Sequence, residues 1–370
     1  MASRVVAVYL SEHGFGHAVR SVIVLRRLLE ARPDVHLKLA TGLPAWLLAD
    51  LETTGRAERV EAMALAPPLV QHDSLAVDHE RSCDALARAT ASFAEDLSRH
   101  AAWLQEIDAK LAYCDIPPLP VSAARRAGVP GIALGNFTWD WIYERYADRD
   151  QRYAAAARQA AAAYGEAQLY LRLPTAPRDA SAMPVEEVPW VGRHPRRSPE
   201  EVRRALQIEP SLPLVLLSFG GHPGIPVAEL AHSDWARQVQ LVGGRQLAAT
   251  GPAVMAVDEA GLADQGIEYI DLVAAADVVV SKPGYGMLAD CLFAGSRLVY
   301  LARPEFPEAS LLLEPAMERL LGAVAIGPGD RTAAGIARAV DEALSKPRPS
   351  TDERLDGVEV AVAKLAELLG

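Results

Sequence analysis

Five short apolar runs, Val5–Leu10, Val35–Ala40, Leu111–Cys114, Gly131–Leu134 and Gln168–Leu171, alternate with helical patterns through the first half of the chain. Runs of this kind need cover on both faces, and helices lying between parallel strands supply it. The second half repeats the scheme with "PLVLLSFGG", "AVMAV", "IEYI", "ADVVVSKPGYG", "SRLVYLARPE" and "AVAIGPG", each read as a strand entering a turn. Between the halves, "PTAPRDASAMPVEEVPWVGRHPRRSPEE" is rich in proline and charge and has no sustained period, which marks a linker. At 370 residues the chain is long for one core. The expected organisation is an α/β domain over 1–185, a linker over 186–200 and a second α/β domain over 201–350. An amphipathic helix over 351–370 is expected to pack back on the first domain.

Composition narrows the function classes. Half of the residues are hydrophobic and 23% are charged, the profile of a globular protein rather than a disordered one. A formal charge of -11 disfavours nucleic acid and anionic membrane surfaces as partners. Cys83, Cys114 and Cys291 are too few and too scattered for a disulfide framework or a CxxC metal site. The opening "MASRVVAVYLSEHG" carries only a short apolar run, so neither a signal peptide nor stable membrane insertion is expected, and a cytoplasmic location is.

The candidate chemistry sits where strands hand over to helices. In a parallel sheet, ligands bind beyond the carboxyl ends of the strands, where strand order reverses. The loop "SEHGFGH" follows the first strand, with Gly14 and Gly16 giving backbone freedom and His17 on the first turn of a helix. That helix carries Val19, Val22, Ile23, Leu25, Leu28 and Leu29 toward one face, while Arg20, Arg26 and Arg27 fall elsewhere. Asp115 ends the fourth strand, and a doubly wound order sets the first and fourth strands side by side. His17 and Asp115 then meet, and a carboxylate holding one imidazole nitrogen leaves the other able to take a proton. The residues alone also allow His17 to be a helix cap and Asp115 a partner of backbone amides. His13 reads as a loop residue that could touch a substrate. Asn136, Trp139 and Asp140 in "NFTWDWIYERY" are candidates for an acceptor site, with the indole stacking on a ring; Trp141 and Tyr143 read as packing residues.

In the second half, Ser218, Gly220 and Gly221 form a glycine turn after a strand, a feature able to cradle phosphate but common in α/β proteins. "ADVVVSKPGYGMLAD" says more. A buried strand ends at Ser281-Lys282, Gly284, Tyr285 and Gly286 make the turn, and a helix follows. Lys282 can set a point charge beside a diphosphate, and Asp290 can accept hydrogen bonds from ribose hydroxyls.

These motifs resemble the GT-B nucleotide-sugar glycosyltransferases. "HGFGHAVRS", "DSLAVD", "NFTWDWIYERY", Arg172–Pro174, "SKPGYGMLAD" and "RPEFPEASLLLE" are similar, in order, to the glycosyltransferase-like amino-terminal region of plant L-arabinokinases and its stand-alone bacterial relatives. The resemblance runs from about Val5 to about Ala325. It implies two Rossmann-like domains facing each other across a cleft, an acceptor site in the first and a nucleotide-sugar site, UDP being the expected nucleotide, in the second. It also implies a bacterial source and His17 as catalytic base with Asp115 orienting it. No cofactor and no catalytic metal are expected, because helix N-termini and amides stabilise the leaving diphosphate. The sugar-kinase domain of the plant proteins has no counterpart before Gly370, so kinase activity is not expected. The acidic-Gln pair that holds the donor sugar in many GT-B enzymes is missing, and Glu305 and Glu308 stand in its neighbourhood.

The expected function is an inverting, metal-independent transfer of a sugar from a nucleotide sugar to a hydroxyl of a small molecule or glycan. Two alternatives share the fold: an inactive nucleotide-sugar-binding regulatory protein, which needs only the second set of residues, and a UDP-sugar epimerase, which needs no acceptor.

Overall fold

The computed structural model describes residues 3–11, 15–60, 63, 65, 69–72, 75–179, 183–219, 225–245 and 254–370, leaving aside the side chains of Phe15, Glu259 and Ala260. The chain divides into two compact units: residues up to 70, 77–191 and 353–370 form the first, and 71–76 with 192–352 form the second.

The first unit holds a sheet of seven parallel strands, β1 (Arg4–Leu10), β2 (Val35–Ala40), β3 (Ala57–Arg59), β4 (Ala109–Asp115), β5 (Gly131–Gly135), β6 (Leu169–Arg172) and β7 (Val185–Glu187), ordered β3-β2-β1-β4-β5-β6-β7. In β1, Val6, Ala7, Val8 and Tyr9 have no exposed surface, so both faces of the strand are covered. Each fully buried Val or Leu there stabilises the fold by about 1.5–3 kcal/mol. The helix Phe15–Ala31 buries Ala18, Val22, Leu25, Leu28 and Leu29. His79–Glu106 is a single helix of 28 residues, opened by Asp78, whose carboxylate accepts from the Arg81 amide at 3.0 Å.

The second unit holds six parallel strands, β8 (Leu214–Ser218), β9 (Gln240–Gly244), β10 (Val254–Val257), β11 (Val278–Ser281), β12 (Arg297–Leu301) and β13 (Val324–Ile326), ordered β10-β9-β8-β11-β12-β13. Its core gathers Val215, Leu217, Val278, Val280, Val299 and Ile336, with Leu75 packed against the same cluster.

Two local readings change. "IEYI" is not a strand: Tyr269–Ala275 is a helix. A short apolar run carries no period of its own, and here the buried Asp271 carboxylate settles the outcome by accepting from the Glu268 amide at 2.9 Å. The same carboxylate accepts from the Arg196 and Arg197 amides, at 2.6 and 3.1 Å. Within the segment read as linker, residues 186 and 187 belong to β7, and the division between units falls between Val191 and Gly192.

The last helix, Gly357–Leu369, belongs to the first unit and buries Val358, Ala361, Val362, Leu365 and Leu369. Arg32 donates to the Ala366 carbonyl at 3.2 Å, placing a cation at the helix C-terminus. Gly357 is where the helix meets the chain at Trp190: a Cβ there would lie 2.2 Å from the Pro189 carbonyl oxygen. Gly357→Ala is therefore expected to destabilise the protein by about 1–3 kcal/mol, as overpacking against backbone does. A denaturation midpoint equal to wild type would show that the helix start can shift freely.

Candidate active site

The first sheet reverses its order between β1 and β4, where Leu10 stands opposite Asp115 and the Ser11 amide donates to the Asp115 carbonyl at 3.0 Å. The helix Phe15–Ala31 starts five residues beyond β1, so its first turn lies at the carboxyl edge of the sheet. There His17 Nδ1 comes within 3.1 Å of Asp115 Oδ1. His17 is 7% exposed and Asp115 is fully buried.

Arg20 joins them. It stands three residues after His17, on the same face of the helix, and is only 2% exposed. Arg20 Nε donates to Asp115 Oδ2 at 2.9 Å and Nη2 to Oδ1 at 2.6 Å, a two-pronged ion pair. Its Nη1 donates to Asn136 Oδ1 at 2.6 Å, and Nη2 also lies 2.9 Å from His17 Nδ1. Ser21 Oγ donates to Asp115 Oδ2 at 2.6 Å and, having spent its only proton, accepts from the Tyr113 hydroxyl at 2.8 Å.

Arg20, expected off the apolar face of the helix, is nonetheless buried. The face it occupies points at the switch point, and a buried carboxylate there needs a cation. Its i, i+3 spacing from His17 was the available signal; the identity of its partner was not written in the sequence. Burial pushes the Asp115 carboxyl up, but the Arg20 charge and the hydrogen bonds from His17 and Arg20 outweigh it and hold the group well below the usual carboxylate range. Burial also drives the Tyr113 hydroxyl up, with the Asp115 charge adding to it, so Tyr113 stays a neutral donor.

The residues expected on the acceptor side are placed as follows. Gly16 lies in the first turn of the Phe15–Ala31 helix, whereas His13 and Gly14 fall outside the described residues. Asn136 is fully buried, with its carbonyl oxygen on Arg20. The His17 ring meets Phe137 edge-on at 5.4 Å, Phe137 meets Trp139 edge-on at 5.3 Å, and Trp139 stacks on Tyr143 at 5.4 Å. Trp139 is thus buried within an aromatic row, and Asp140 is 9% exposed in the first turn of the helix Trp139–Glu144. Trp141 and Tyr143 are buried. Arg172 pairs with Glu187 across β6 and β7.

In the second unit the order reverses between β8 and β11. Ser281 Oγ donates to the Ser218 carbonyl at 2.7 Å and ties the two strand ends together, while Ser218 Oγ lies 2.6 Å from the Tyr269 hydroxyl. Gly220 and Gly221 fall outside the described residues. Gly284 caps the helix Tyr285–Ala294 with φ -163, an extended angle open to any residue. The backbone therefore does not require a glycine at this position, and a Cβ there meets nothing within 4 Å among the described residues. Tyr285 is buried, and Gly286 lies in the first turn.

Burial, helped by the nearby Arg303 charge, pushes the Lys282 amine down to about 8. Burial pushes the Asp290 carboxyl up to about 6, against an opposing pull from Arg193. Arg303 follows β12 at the same edge and is 8% exposed, its guanidinium 3.4 Å from the Phe306 ring centroid. Glu305 is exposed, and Glu308 opens a short π-helical turn to Leu313. Arg303, near Lys282, and Tyr269, on Ser218, stand beside the candidate site and were missed by sequence reasoning, since neither carries a local signal. Among the described residues no group of three His, Cys, Asp or Glu side chains converges as a metal site, and no helix is long and apolar enough to cross a membrane.

No family model matches the chain. L-arabinokinase of Arabidopsis thaliana is 30% identical over 317 residues, which is 83% of this chain; the chain spans 29% of that protein's length. Among solved structures, the glycotransferase of kitacinnamycin superposes with a TM-score of 0.62 at 20% identity, over 100% of this chain and 95% of that one. Medicago truncatula UGT71G1, complexed with UDP-glucose, superposes with a TM-score of 0.61 at 12% identity, over 100% and 99% of the two chains. Identities this low speak for architecture alone, and with two parallel sheets, each reversing its strand order at the edge that carries the clustered polar residues, the chain has the GT-B fold.

Proposed function

We propose that this protein is an inverting, metal-independent glycosyltransferase that moves a sugar from a nucleotide donor, UDP-linked, to a hydroxyl of a small molecule or glycan. The observation that carries this reading is the 3.1 Å contact between His17 Nδ1 and the buried carboxylate of Asp115 at a sheet switch point. With its proton on Nδ1 facing Asp115, the imidazole presents a bare Nε2, which takes the proton of the acceptor hydroxyl as that oxygen attacks the anomeric carbon. The bond to the diphosphate breaks on the opposite face, so the configuration inverts. The charge on the leaving diphosphate is met by the N-terminus of the helix Tyr285–Ala294 and by Lys282. Asp290 accepts from the ribose hydroxyls.

The UDP-glucose complex of Medicago truncatula UGT71G1, a protein of this fold, supports the choice of nucleotide. Three buried, unpaired cysteines suit a reducing, cytoplasmic location. The test is transfer itself: UDP-sugars offered against a panel of hydroxyl acceptors in excess EDTA, with the anomeric configuration of the product read by NMR. Tight nucleotide binding without transfer or hydrolysis favours the regulatory reading, and an altered sugar formed without acceptor favours the epimerase.

The donor side gives its own pH signature. A carboxylate raised to about 6 must be ionised to accept from ribose, and an amine lowered to about 8 must be protonated to meet a diphosphate. UDP affinity is therefore expected to peak between these values, falling on the acid side through Asp290 and on the alkaline side through Lys282. Calorimetry across pH checks it. Asp290→Asn flattens the acid limb, Lys282→Arg flattens the alkaline limb, and Asp290→Ala weakens binding by about 1–3 kcal/mol at neutral pH. A pH-independent affinity in the parent protein would remove both residues from the nucleotide site.

A further inference from the structure

His17 Nδ1 has two neighbours of opposite kind. Asp115 Oδ1, 3.1 Å away, can only accept, and Arg20 Nη2, 2.9 Å away, can only donate. A neutral imidazole can satisfy one of them at a time. With the proton on Nδ1 it donates to Asp115 and leaves Nε2 bare; with the proton on Nε2, Nδ1 accepts from Arg20 and the ring has nothing with which to take a proton from a hydroxyl.

We infer that Arg20 is a positioning residue that competes with Asp115 for His17 Nδ1, so that the ionised carboxylate, and not hydrogen-bond geometry alone, decides which tautomer the site holds. The guanidinium cannot turn away. Its Nε and Nη2 are fixed on the two oxygens of Asp115 and its Nη1 on Asn136, and the side chain is 2% exposed. The Nη2 hydrogen not used on Asp115 is therefore held near Nδ1 throughout. In the wild-type protein the carboxylate prevails, because the Arg20 charge is already met by both oxygens of Asp115, whereas a bare Nδ1 would set its lone pair against those of the Oδ1 anion 3.1 Å away. When Asp115 becomes an amide that advantage is lost, and Arg20 draws His17 into the tautomer that blocks the base.

This inference rests on His17 being the base, and its primary readout needs no substrate. Protein labelled with 15N in histidine is read by two-dimensional NMR, in which the shifts of the two ring nitrogens report protonation and tautomer together. Wild-type protein is expected to hold the proton on Nδ1. Asp115→Asn is expected to move it to Nε2, and Arg20→Met/Asp115→Asn to return a major share to Nδ1, since the competing donor is gone. Transfer should follow, with the double variant about tenfold faster than Asp115→Asn alone. If Arg20 serves only the fold, the second substitution adds damage and the double variant is slower. A wild-type His17 protonated on Nε2, or an Asp115→Asn protein that keeps its proton on Nδ1, overturns the inference. Should Asp115→Asn fail to fold, Arg20→Lys decides it: taking the guanidinium hydrogen away from Nδ1 is expected to shift the Nδ1 resonance from its wild-type position, and a resonance identical to wild type overturns the inference. A tautomer pattern as expected in a protein that transfers no sugar to any acceptor would instead count against the glycosyltransferase reading.

Discussion

His17→Ala is expected to lower sugar transfer by about a hundredfold or more, the scale of lost general-base catalysis, while UDP affinity stays close to wild type. The two effects separate because of where the residue stands. His17 lies at the carboxyl edge of the first sheet, against Asp115 and Phe137, whereas Lys282, Asp290 and the helix Tyr285–Ala294 belong to the second unit. Truncating the imidazole removes the proposed base and leaves the proposed partners of the nucleotide intact. Single-turnover transfer set beside calorimetric UDP affinity measures both on one sample. Transfer at the parent rate would make His17 a helix-cap residue and send the search for the base elsewhere. Loss of transfer together with a large loss of UDP affinity would point to a general disturbance of the fold.

The second large effect is on stability. Arg20→Met strips the cation from a fully buried carboxylate and is expected to cost about 3–5 kcal/mol, the usual penalty for leaving one member of a buried pair behind. Its pH dependence has a definite sign. In the wild-type protein Asp115 is held below its ordinary value of 3.8, so it contributes stability above that value and loses it as pH falls toward the folded-state value. Without Arg20, burial dominates and pushes the carboxyl up, so the folded state of the variant binds a proton more readily than the unfolded chain. The deficit of Arg20→Met should therefore be largest near neutral pH and shrink as pH falls. Asp115→Asn added to Arg20→Met should recover much of the loss, because no unpaired charge then remains. Denaturant midpoints at several pH values decide it. A deficit below about 1 kcal/mol that does not change with pH would mean that solvent already screens Asp115.

How far the sequence could be read follows from which interactions are local. The strand that starts the chain and the helix after it were legible because an apolar run closed by a glycine turn and a 3.6-residue period in apolar side chains need no knowledge of the partner. The pairing of β1 with β4 was legible too, since the handedness of parallel crossovers leaves few orders for a doubly wound sheet. "IEYI" was not, because so short an apolar run has no period of its own; Asp271 opens its helix on the Glu268 amide, and the same carboxylate is held by amides from residues 196 and 197, more than seventy positions earlier.

The same boundary runs through the candidate site. By itself the sequence determined the two α/β halves, the strand-to-helix turns that bear His17 and Lys282, and the helix that carries Asp290. These depend on neighbours within a few residues. Only the tertiary structure decided that Arg20, drawn as a residue off the apolar face, is buried on Asp115 and Asn136, and that Trp139 lies buried within an aromatic row. It also decided that the amine of Lys282 and the carboxyl of Asp290 are displaced toward neutrality. The physical reason is one and the same: the cost of burying a charge and the partner that offsets it are set by residues that folding brings together from distant positions, and no local period records them.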